Sequence, residues 1–549
     1  MDQAALSSKS VLETLVKTNR PPTDQETAII RESMAPTNAE LKVVEAQISE
    51  TMAHIQELKS QVEQAETKLQ RLREEEAAIL ETFADHRRVF SPFRNIPEDI
   101  IREICIQACV KGDIPKLSYP RNPSTYILAQ ICSGMRHIAL TTPIIWASVH
   151  VEIRSYLFSG LIQYEKAYSA LARRVSAWFQ RAGGLGLTVS IEDSNIAYAV
   201  LEGFQSDPST ILFDALLSYS TRWKQLQFDS SCGSLLSPLI LRIAALTAVD
   251  LPLLRSVSFH LDCVNPDPPI DDSVLLKIPT LKRIKLETRN IRMFAVDWAI
   301  LTSVTLHGES SSSSVYLPII EVARILQQTK CLVFCDIAVR PSGLQEHYSN
   351  NINLPFLKTL IVGEKTPASA TSGAPSILDL ITAPILEVFD MRREAFLDLS
   401  GFFKRSPRIR KLFLPYFDKD TLFTETVGFL SHCPSLTDLS LFSCNWNNNT
   451  VDANGFLRAF VEGDTGVICP CLQDFQLIGM IDFSLQTLRL FLAGRQGDIS
   501  ALNGMPWKKL AIDTRGIKNT KRRQQVLDLL QKNAAGSDIQ VSKARYGYY

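Results

Sequence analysis

The chain has 549 residues, and its 58 basic residues balance its 58 acidic residues. This length predicts more than one domain, and the neutral balance argues against a nucleic acid as partner. No stretch of about twenty uncharged apolar residues occurs, so the sequence predicts neither a membrane span nor a membrane partner.

Cysteine usage and the amino-terminal residues indicate the compartment. The 11 cysteines are odd in number and include no C-x-x-C pair, which is typical of reduced, buried thiols in intracellular proteins. Residues 1–20 lack the basic start and apolar core of a secretory signal. We therefore expect a cytoplasmic or nuclear protein, and the pattern indicates no metal site and no cofactor.

Residues 1–38 are rich in Ser, Thr and Pro. This composition predicts a disordered or loosely helical amino terminus, with a short helix near Val11 to Val16.

Residues 39–88 carry a heptad repeat that predicts a coiled-coil helix. The first seam position holds Leu41, Ile48, Ile55, Val62, Leu69 and Phe83, and the second holds Val44, Leu58, Ala65, Leu72 and Ile79. Thr51 and Glu76 interrupt the seam. A helix over residues 41–83 would be roughly 65 Å long. The pattern favours a homodimer through residues 41–83, and the alternative is an amphipathic helix that lies along its own chain.

Residues 89–150 predict three short helices. The first begins at or near Pro97 within SPFRNIPEDIIREIC and has an apolar face of Ile100, Ile101, Ile104, Cys105 and Ala108. The second stretch, LAQICSGMRHIAL, has its own apolar stripe of Leu128, Ile131, Cys132, Met135 and Ile138, and Thr142-Pro143 predicts the start of the third helix. So small a bundle leaves apolar surface exposed, and it either docks onto a partner or caps the large domain that follows.

These same stretches, with TTPIIWASVHV, resemble the F-box domain of fungal F-box proteins that have leucine-rich carboxy-terminal regions. The resemblance extends to residues 172–193 and 218–228. It implies that a Skp-type adaptor, which links such proteins to a cullin-RING ubiquitin ligase, contacts Ile96, Pro97, Ile100, Ile101, Ile104, Ile131, Cys132 and Met135. The chain departs from the family at Ile96, where Leu is usual, at Met135, where many members have Trp, and in an insertion near residues 112–123.

After a linker with a helix and a strand at residues 151–217, an apolar triplet recurs through residues 218–535. Its clear copies are Leu254-Val257-Phe259, Leu281-Ile284-Leu286, Leu301-Val304-Leu306, Leu357-Leu360-Val362, Leu386-Phe389-Met391, Ile409-Leu412-Leu414, Leu436-Leu439-Leu441 and Leu472-Phe475-Leu477. Weaker copies start at Trp223, Leu332 and Trp507. Each copy predicts a strand followed by a helical stretch, and stacked units form an irregular leucine-rich α/β solenoid. The alternative is a globular α/β sheet, and residues 536–549 form a tail.

In such a solenoid the residues between the apolar ones face a concave parallel sheet that is open to a protein ligand. These candidate target-binding residues are His260, Arg283, Lys285, Glu287, His307, Asp390, Arg392, Lys411, Phe413, Asp438, Phe442 and Asp474. Mixed charges with a few aromatic side chains suit a protein better than a phosphate backbone.

The sequence has no G-x-S-x-G, H-E-x-x-H, P-loop or G-x-G-x-x-G motif, so it predicts no catalytic residues. The fold class expected is α+β and multi-domain, with a long coiled-coil helix, a three-helix F-box and a leucine-rich solenoid. The expected function is a substrate receptor of an SCF-type ubiquitin ligase, whose protein target the sequence does not identify. The alternatives are a non-ligase scaffold that dimerises through its coiled coil and a hydrolase without a known motif.

Overall fold

The computed structural model divides the chain into a first unit, Met1–Pro97, and a second unit, Glu98–Tyr549. The structure describes residues 8–89, 95–110, 114–118, 123–154, 161–194, 210–230, 238–261, 273–288, 290–308, 316–340, 351–365, 376–393, 399–416, 421–443, 450–461, 468–494, 505–514, 516–535 and 540–541.

The first unit consists of helix α1, Ser8–Thr18, and the long helix α2, Asp24–Val89. The two helices pack against each other, and Val11 of α1 is buried. A single helix of 66 residues confirms the predicted long amino-terminal helix. At 1.5 Å per residue it is about 100 Å long.

Helix α2 begins well before residue 39 because a capping box starts it. The backbone N–H of Glu26 donates to Thr23 Oγ1 over 3.4 Å, and the backbone N–H of Thr23 donates to Glu26 Oε2 over 2.9 Å. These bonds satisfy two amide groups that have no partner inside the helix. The sequence T-x-x-E at residues 23–26 has the spacing of a capping box, and the predicted helix start near residue 39 did not take it into account.

Thirteen described helices of the second unit follow in chain order. They are α3 Glu98–Val110, α4 Ser124–Ile131, α5 Ser133–Leu140, α6 Leu161–Arg181, α7 Thr210–Leu217, α8 Pro238–Ala244, α9 Ile319–Gln328, α10 Ile377–Leu380, α11 Ser400–Arg405, α12 Thr421–Leu430, α13 Asn454–Ala459, α14 Leu485–Ala493 and α15 Thr520–Ala535. Short 3₁₀ helices lie at Pro143–Trp146, Ser220–Arg222, Leu275–Lys277, Ile291–Met293 and Trp298–Ile300.

Twenty described strands alternate with these helices. They are β1 Lys116–Leu117, β2 Ser148–Arg154, β3 Leu187–Ser194, β4 Trp223–Ser230, β5 Ser256–Leu261, β6 Arg283–Thr288, β7 Ser303–His307, β8 Leu317–Pro318, β9 Phe334–Arg340, β10 Ile352–Asn353, β11 Thr359–Glu364, β12 Ile381–Thr382, β13 Val388–Arg393, β14 Lys411–Tyr416, β15 Asp438–Ser443, β16 Val451–Asp452, β17 Asp474–Ile478, β18 Ile481–Asp482, β19 Lys509–Ile512 and β20 Gln540–Val541.

One large sheet organises the second unit. Its strands follow the order β1-β2-β3-β4-β5-β6-β7-β9-β11-β13-β14-β15-β17-β19-β20, and β8 pairs with β9. Every strand pairing among the described residues is parallel. Parallel neighbours in sequence order need a crossover between them, which is the arrangement of a solenoid. The α+β class and the solenoid-like parallel sheet are therefore as predicted.

The recurring apolar triplets form the core of this sheet. All members of the clear copies are at most 4% exposed, as are those that start at Trp223, Leu332 and Trp507. The spacing between copies is irregular because the crossovers differ: helix α9 precedes β9, whereas among the described residues between β6 and β7 the helical turns are the 3₁₀ turns Ile291–Met293 and Trp298–Ile300.

The sheet is longer than the boundaries read from the sequence. Strands β1, β2 and β3 precede residue 218, and β20 lies within the predicted tail. Val149, Val151 and Ile153 on β2 alternate with more polar residues and are buried. The period of two that marks a strand is thus present in the predicted linker, although the leucine triplet is not.

Candidate functional site

Helices α3, α4 and α5 form a small bundle at the amino-terminal end of the second unit. Pro97 immediately precedes α3, and Glu98 and Asp99 occupy its first turn, where negative charge is favourable. Arg102 pairs with Glu98 over 2.6 Å and donates to Thr142 Oγ1 over 2.6 Å. These contacts fix α3 against the turn that follows α5.

Two of the predicted adaptor-binding residues belong to the bundle's own core. Met135 is 7% exposed and packs with Cys105 and Ile138, and Ile101 and Leu128 pack against this cluster. Ile101 and Met135 therefore stabilise the three helices against one another. Helical periodicity could not separate Ile101 from Ile100, because both lie within one broad apolar stripe.

The other predicted residues remain accessible. Ile100 and Ile104 are 49% and 51% exposed, Ile131 is 61% exposed, and Cys132 is exposed. Ile100 and Ile104 lie four residues apart and share one face of α3. Ile96 and Pro97 are the last residues of the first unit; Ile96 is half-buried and Pro97 is exposed.

The sequence analysis missed Ile127, which is 54% exposed on α4. Its position four residues before Ile131 could have revealed it, because residues at this spacing share a helix face. We refer to Ile100, Ile104, Ile127 and Ile131 as the exposed isoleucines. Four half-exposed isoleucines on two adjoining helices are an unusual concentration of apolar surface for so small a bundle.

An aromatic cluster joins this bundle to helix α6. The Trp146 and Trp178 rings are 4.8 Å apart, and the Tyr126 ring lies 5.6 Å from each of them. Arg181 stacks over Trp146 at 4.9 Å and donates to the Tyr126 hydroxyl. Ala139 O accepts a bond of 2.7 Å from the Trp146 indole. The bundle thus packs against α6, and this contact leaves the isoleucines named above exposed.

The second candidate surface is the open sheet face, defined as the strand side chains of β4–β17 that alternate with the buried triplets. It holds the predicted target-binding candidates, among them Arg283, Lys285, His307, Asp390, Arg392, Lys411, Phe413, Asp438 and Phe442. Each is at least partly exposed. The alternation of side chains along a strand, which the triplet spacing implies, places them there.

An ion network crosses this face on β4–β9. His260 Nδ1 is 3.3 Å from Asp229 and 3.8 Å from Glu287. His307 Nε2 is 2.8 Å from Asp336, and its Nδ1 is 3.6 Å from Glu287. Strand register explains the arrangement, since Glu287 pairs with His260 on one side and His307 on the other. Asp229 and Asp336 were not among the predicted target-binding residues.

The charged groups of this network change one another's pKa values. Burial opposes the positive charge of His307, but Asp336 and Glu287 outweigh it and raise its pKa to about 9. The interaction with His307 lowers the pKa of Glu287 to about 2 against its burial, with help from Lys285. His307 is therefore a cation at neutral pH, and the face presents fixed charges of both signs.

Burial also changes the pKa values of two aspartates further along the face. Burial raises the pKa of Asp390, and Arg392, 3.3 Å away, partly offsets this rise. Burial and repulsion by Asp438 raise the pKa of Asp474. Lys411 lies 3.6 Å from Asp438 and reduces the local negative charge.

The face changes character on β11–β17. Phe413 pairs in register with Asp390, and Phe442 pairs with Ile478. Ile361 and Val388 lie on neighbouring strands and, like these aromatic residues, are half-buried. Ile361, Val388 and Ile478 were not among the predicted residues, although Ile361 and Val388 lie between two members of a triplet and Ile478 directly follows the last member of one. Apolar side chains at such positions are available to a ligand.

Comparison with protein-family models and with curated proteins gives no match. Within the part of the chain that the structure describes, no helix combines the length and the apolar character needed to cross a bilayer. Among those same residues, no group of three His, Cys, Asp or Glu side chains is placed to hold a metal ion.

Proposed function

We propose that this chain is a substrate receptor of an SCF-type cullin-RING ubiquitin ligase, in which α3–α5 act as the F-box and bind a Skp-type adaptor. The observation that carries the proposal is the set of exposed isoleucines on α3 and α4, on a bundle whose core is already formed by Cys105, Met135 and Ile138. The choice of a Skp-type adaptor as the partner rests on the sequence resemblance to F-box proteins. The chain performs no catalysis of its own, and other subunits transfer ubiquitin.

The open sheet face is the proposed target-binding surface. Its two halves differ: β4–β9 present an ion network, and β11–β17 present half-buried apolar side chains beside Lys411 and Asp438. A partly apolar surface surrounded by paired charges suits a folded protein or an extended peptide.

Replacing Ile100→Asp together with Ile104→Asp tests the adaptor site. An isoleucine gains about 1.5–3 kcal/mol on full burial, so each half-exposed side chain has about 1 kcal/mol still to gain. A buried carboxylate adds a cost of several kcal/mol, and the combined loss of affinity should be on the order of a thousandfold. Binding of a purified Skp-type adaptor to the full chain would be measured by calorimetry.

The matched control is Val249→Asp with Val274→Asp, which introduces the same charges at positions that are 83% and 45% exposed elsewhere in the second unit. It should bind the adaptor like the unchanged chain, and circular dichroism should show the same helix content in both variants. Unchanged adaptor affinity in the Ile100/Ile104 variant would exclude this site.

A non-ligase scaffold is the second candidate, favoured by the aromatic contact of Tyr126, Trp146 and Trp178, which is what a structural cap requires. In that case the unchanged chain would not bind the adaptor. The calorimetric experiment therefore distinguishes the two functions.

A further inference from the structure

The seam of α2 is an apolar surface that the first unit does not cover. Its ten large apolar side chains, from Leu41 to Phe83, are each 46–59% exposed, and every residue from 31 to 84 is exposed. Soluble proteins seldom leave a continuous apolar surface of this size uncovered. A heptad seam is shaped to receive the equivalent seam of another helix.

The two interruptions of the seam discriminate between orientations. Thr51 occupies the second seam position and Glu76 the first. In a parallel, in-register pair each residue meets its own copy, so two Glu76 carboxylates would face each other between apolar layers. In an antiparallel pair centred between Glu63 and Gln64, Glu76 meets Thr51 of the second copy. The hydroxyl of Thr51, which donates to Gln47 O over 2.7 Å in the single helix, can rotate to donate to that carboxylate instead.

At each end of this antiparallel alignment Leu41 meets His86, and the remaining layers between residues 44 and 83 are apolar. They are Val44 with Phe83, Ile48 with Ile79, Ile55 with Leu72, Leu58 with Leu69, and Val62 with Ala65. A shift of one heptad in either direction separates Thr51 from Glu76 and places each of them against an apolar side chain. A parallel pair would place Phe83 on Phe83 and leave a gap between two copies of Ala65.

Charged residues beside the seam also oppose the parallel pair. In a parallel dimer, the residue that precedes a first seam position lies beside the residue five positions later on the partner helix. Glu40 would then face Glu45, and Lys68 would face Arg73. Both contacts join like charges, and such contacts specify against an orientation.

We propose that α2 forms an antiparallel two-stranded coiled coil with a second copy of this chain, centred between Glu63 and Gln64. The orientation places the carboxyl ends of the two α2 helices at opposite ends of the paired segment. The proposal does not depend on adaptor binding, because the residues that carry it all lie in the first unit.

Light scattering of the purified full chain after size exclusion tests the pairing. We expect twice the chain mass of 61.4 kDa. Ile55→Lys with Leu72→Lys, which form one layer of the antiparallel pair, should give the monomer mass. The control Ser60→Lys with Thr67→Lys adds the same charges on the opposite face of α2 and should remain a dimer. A monomeric unchanged chain at micromolar concentration would overturn the proposal.

Cysteine cross-linking tests the orientation. Val44→Cys with Phe83→Cys should give a covalent dimer on mild oxidation, because residues 44 and 83 meet in the antiparallel pair. Val44→Cys alone should not, since its two copies then lie roughly 58 Å apart at 1.5 Å per residue. The unchanged chain, oxidised in the same way, controls for native cysteines. Cross-linking of Val44→Cys alone, or none in the double variant, would overturn the stated orientation and centre.

Discussion

Replacing His307→Gln should destabilise the second unit in a manner that depends on pH. His307 has a pKa of about 9 in the folded chain, against 6.5 for an ordinary histidine. A group whose pKa rises on folding stabilises the fold fully below its unfolded pKa, and this contribution is lost as the pH rises through the folded pKa. The stabilisation by His307 is therefore present below pH 6.5 and disappears between pH 6.5 and 9.

The magnitude follows from the difference between the pKa of about 9 in the folded chain and the ordinary value of 6.5. A difference of one pKa unit corresponds to about 1.4 kcal/mol, so the upper bound is about 3 kcal/mol. The His307 side chain is 26% exposed, and solvent screening reduces the expected contribution to about 2 kcal/mol. The free energy of unfolding in urea should thus differ between the two chains by about 2 kcal/mol near pH 6 and by little near pH 9.5.

A nuclear magnetic resonance titration of the ring provides the direct measurement. We expect His307 to stay protonated at pH 7.5 and to lose its proton near pH 9. Asp336→Asn should lower this pKa, because it removes the carboxylate 2.8 Å from Nε2. Asp229→Asn, which touches His260 instead, should leave it unchanged. Titration of His307 near pH 6.5 in the unchanged chain would refute the reasoning.

Three further substitutions test the packing of the second unit and the helix cap of the first. Gly516→Ala should cost about 1–3 kcal/mol through overpacking, because its Cβ would overlap the backbone of Ile481. Gly428→Ala is its control, since no atom lies near that Cβ; equal melting temperatures for the two variants would contradict this account. Trp146→Ala should cost about 3–5 kcal/mol, because the ring is fully buried; a loss under 1 kcal/mol in urea unfolding would contradict it. Thr23→Ala should weaken the first turn of α2 by about 1 kcal/mol, seen as faster amide exchange there; unchanged exchange would argue against the capping box.

Much of the fold could be predicted from local patterns. The leucine triplets identified the buried positions of β4–β7, β9, β11, β13–β15, β17 and β19, and the heptads identified α2 as a long helix. The strands β1, β2, β3 and β20 were not recognised as part of the sheet, because they lack the triplet and join it through parallel pairing with distant residues. Period-two alternation alone cannot say which sheet a strand joins.

For the candidate surfaces too, local sequence patterns predicted one part and the tertiary structure decided the rest. The sequence by itself determined which side chains are apolar and the spacing at which they recur, because helical and strand periodicity depend only on neighbouring residues. Only the tertiary structure decided that Met135 is buried while Ile131 is exposed, since three helices must meet before a face becomes inner or outer. The His307 network likewise needed the register of β6, β7 and β9, because its charges come from residues far apart in the chain and act through distance and burial.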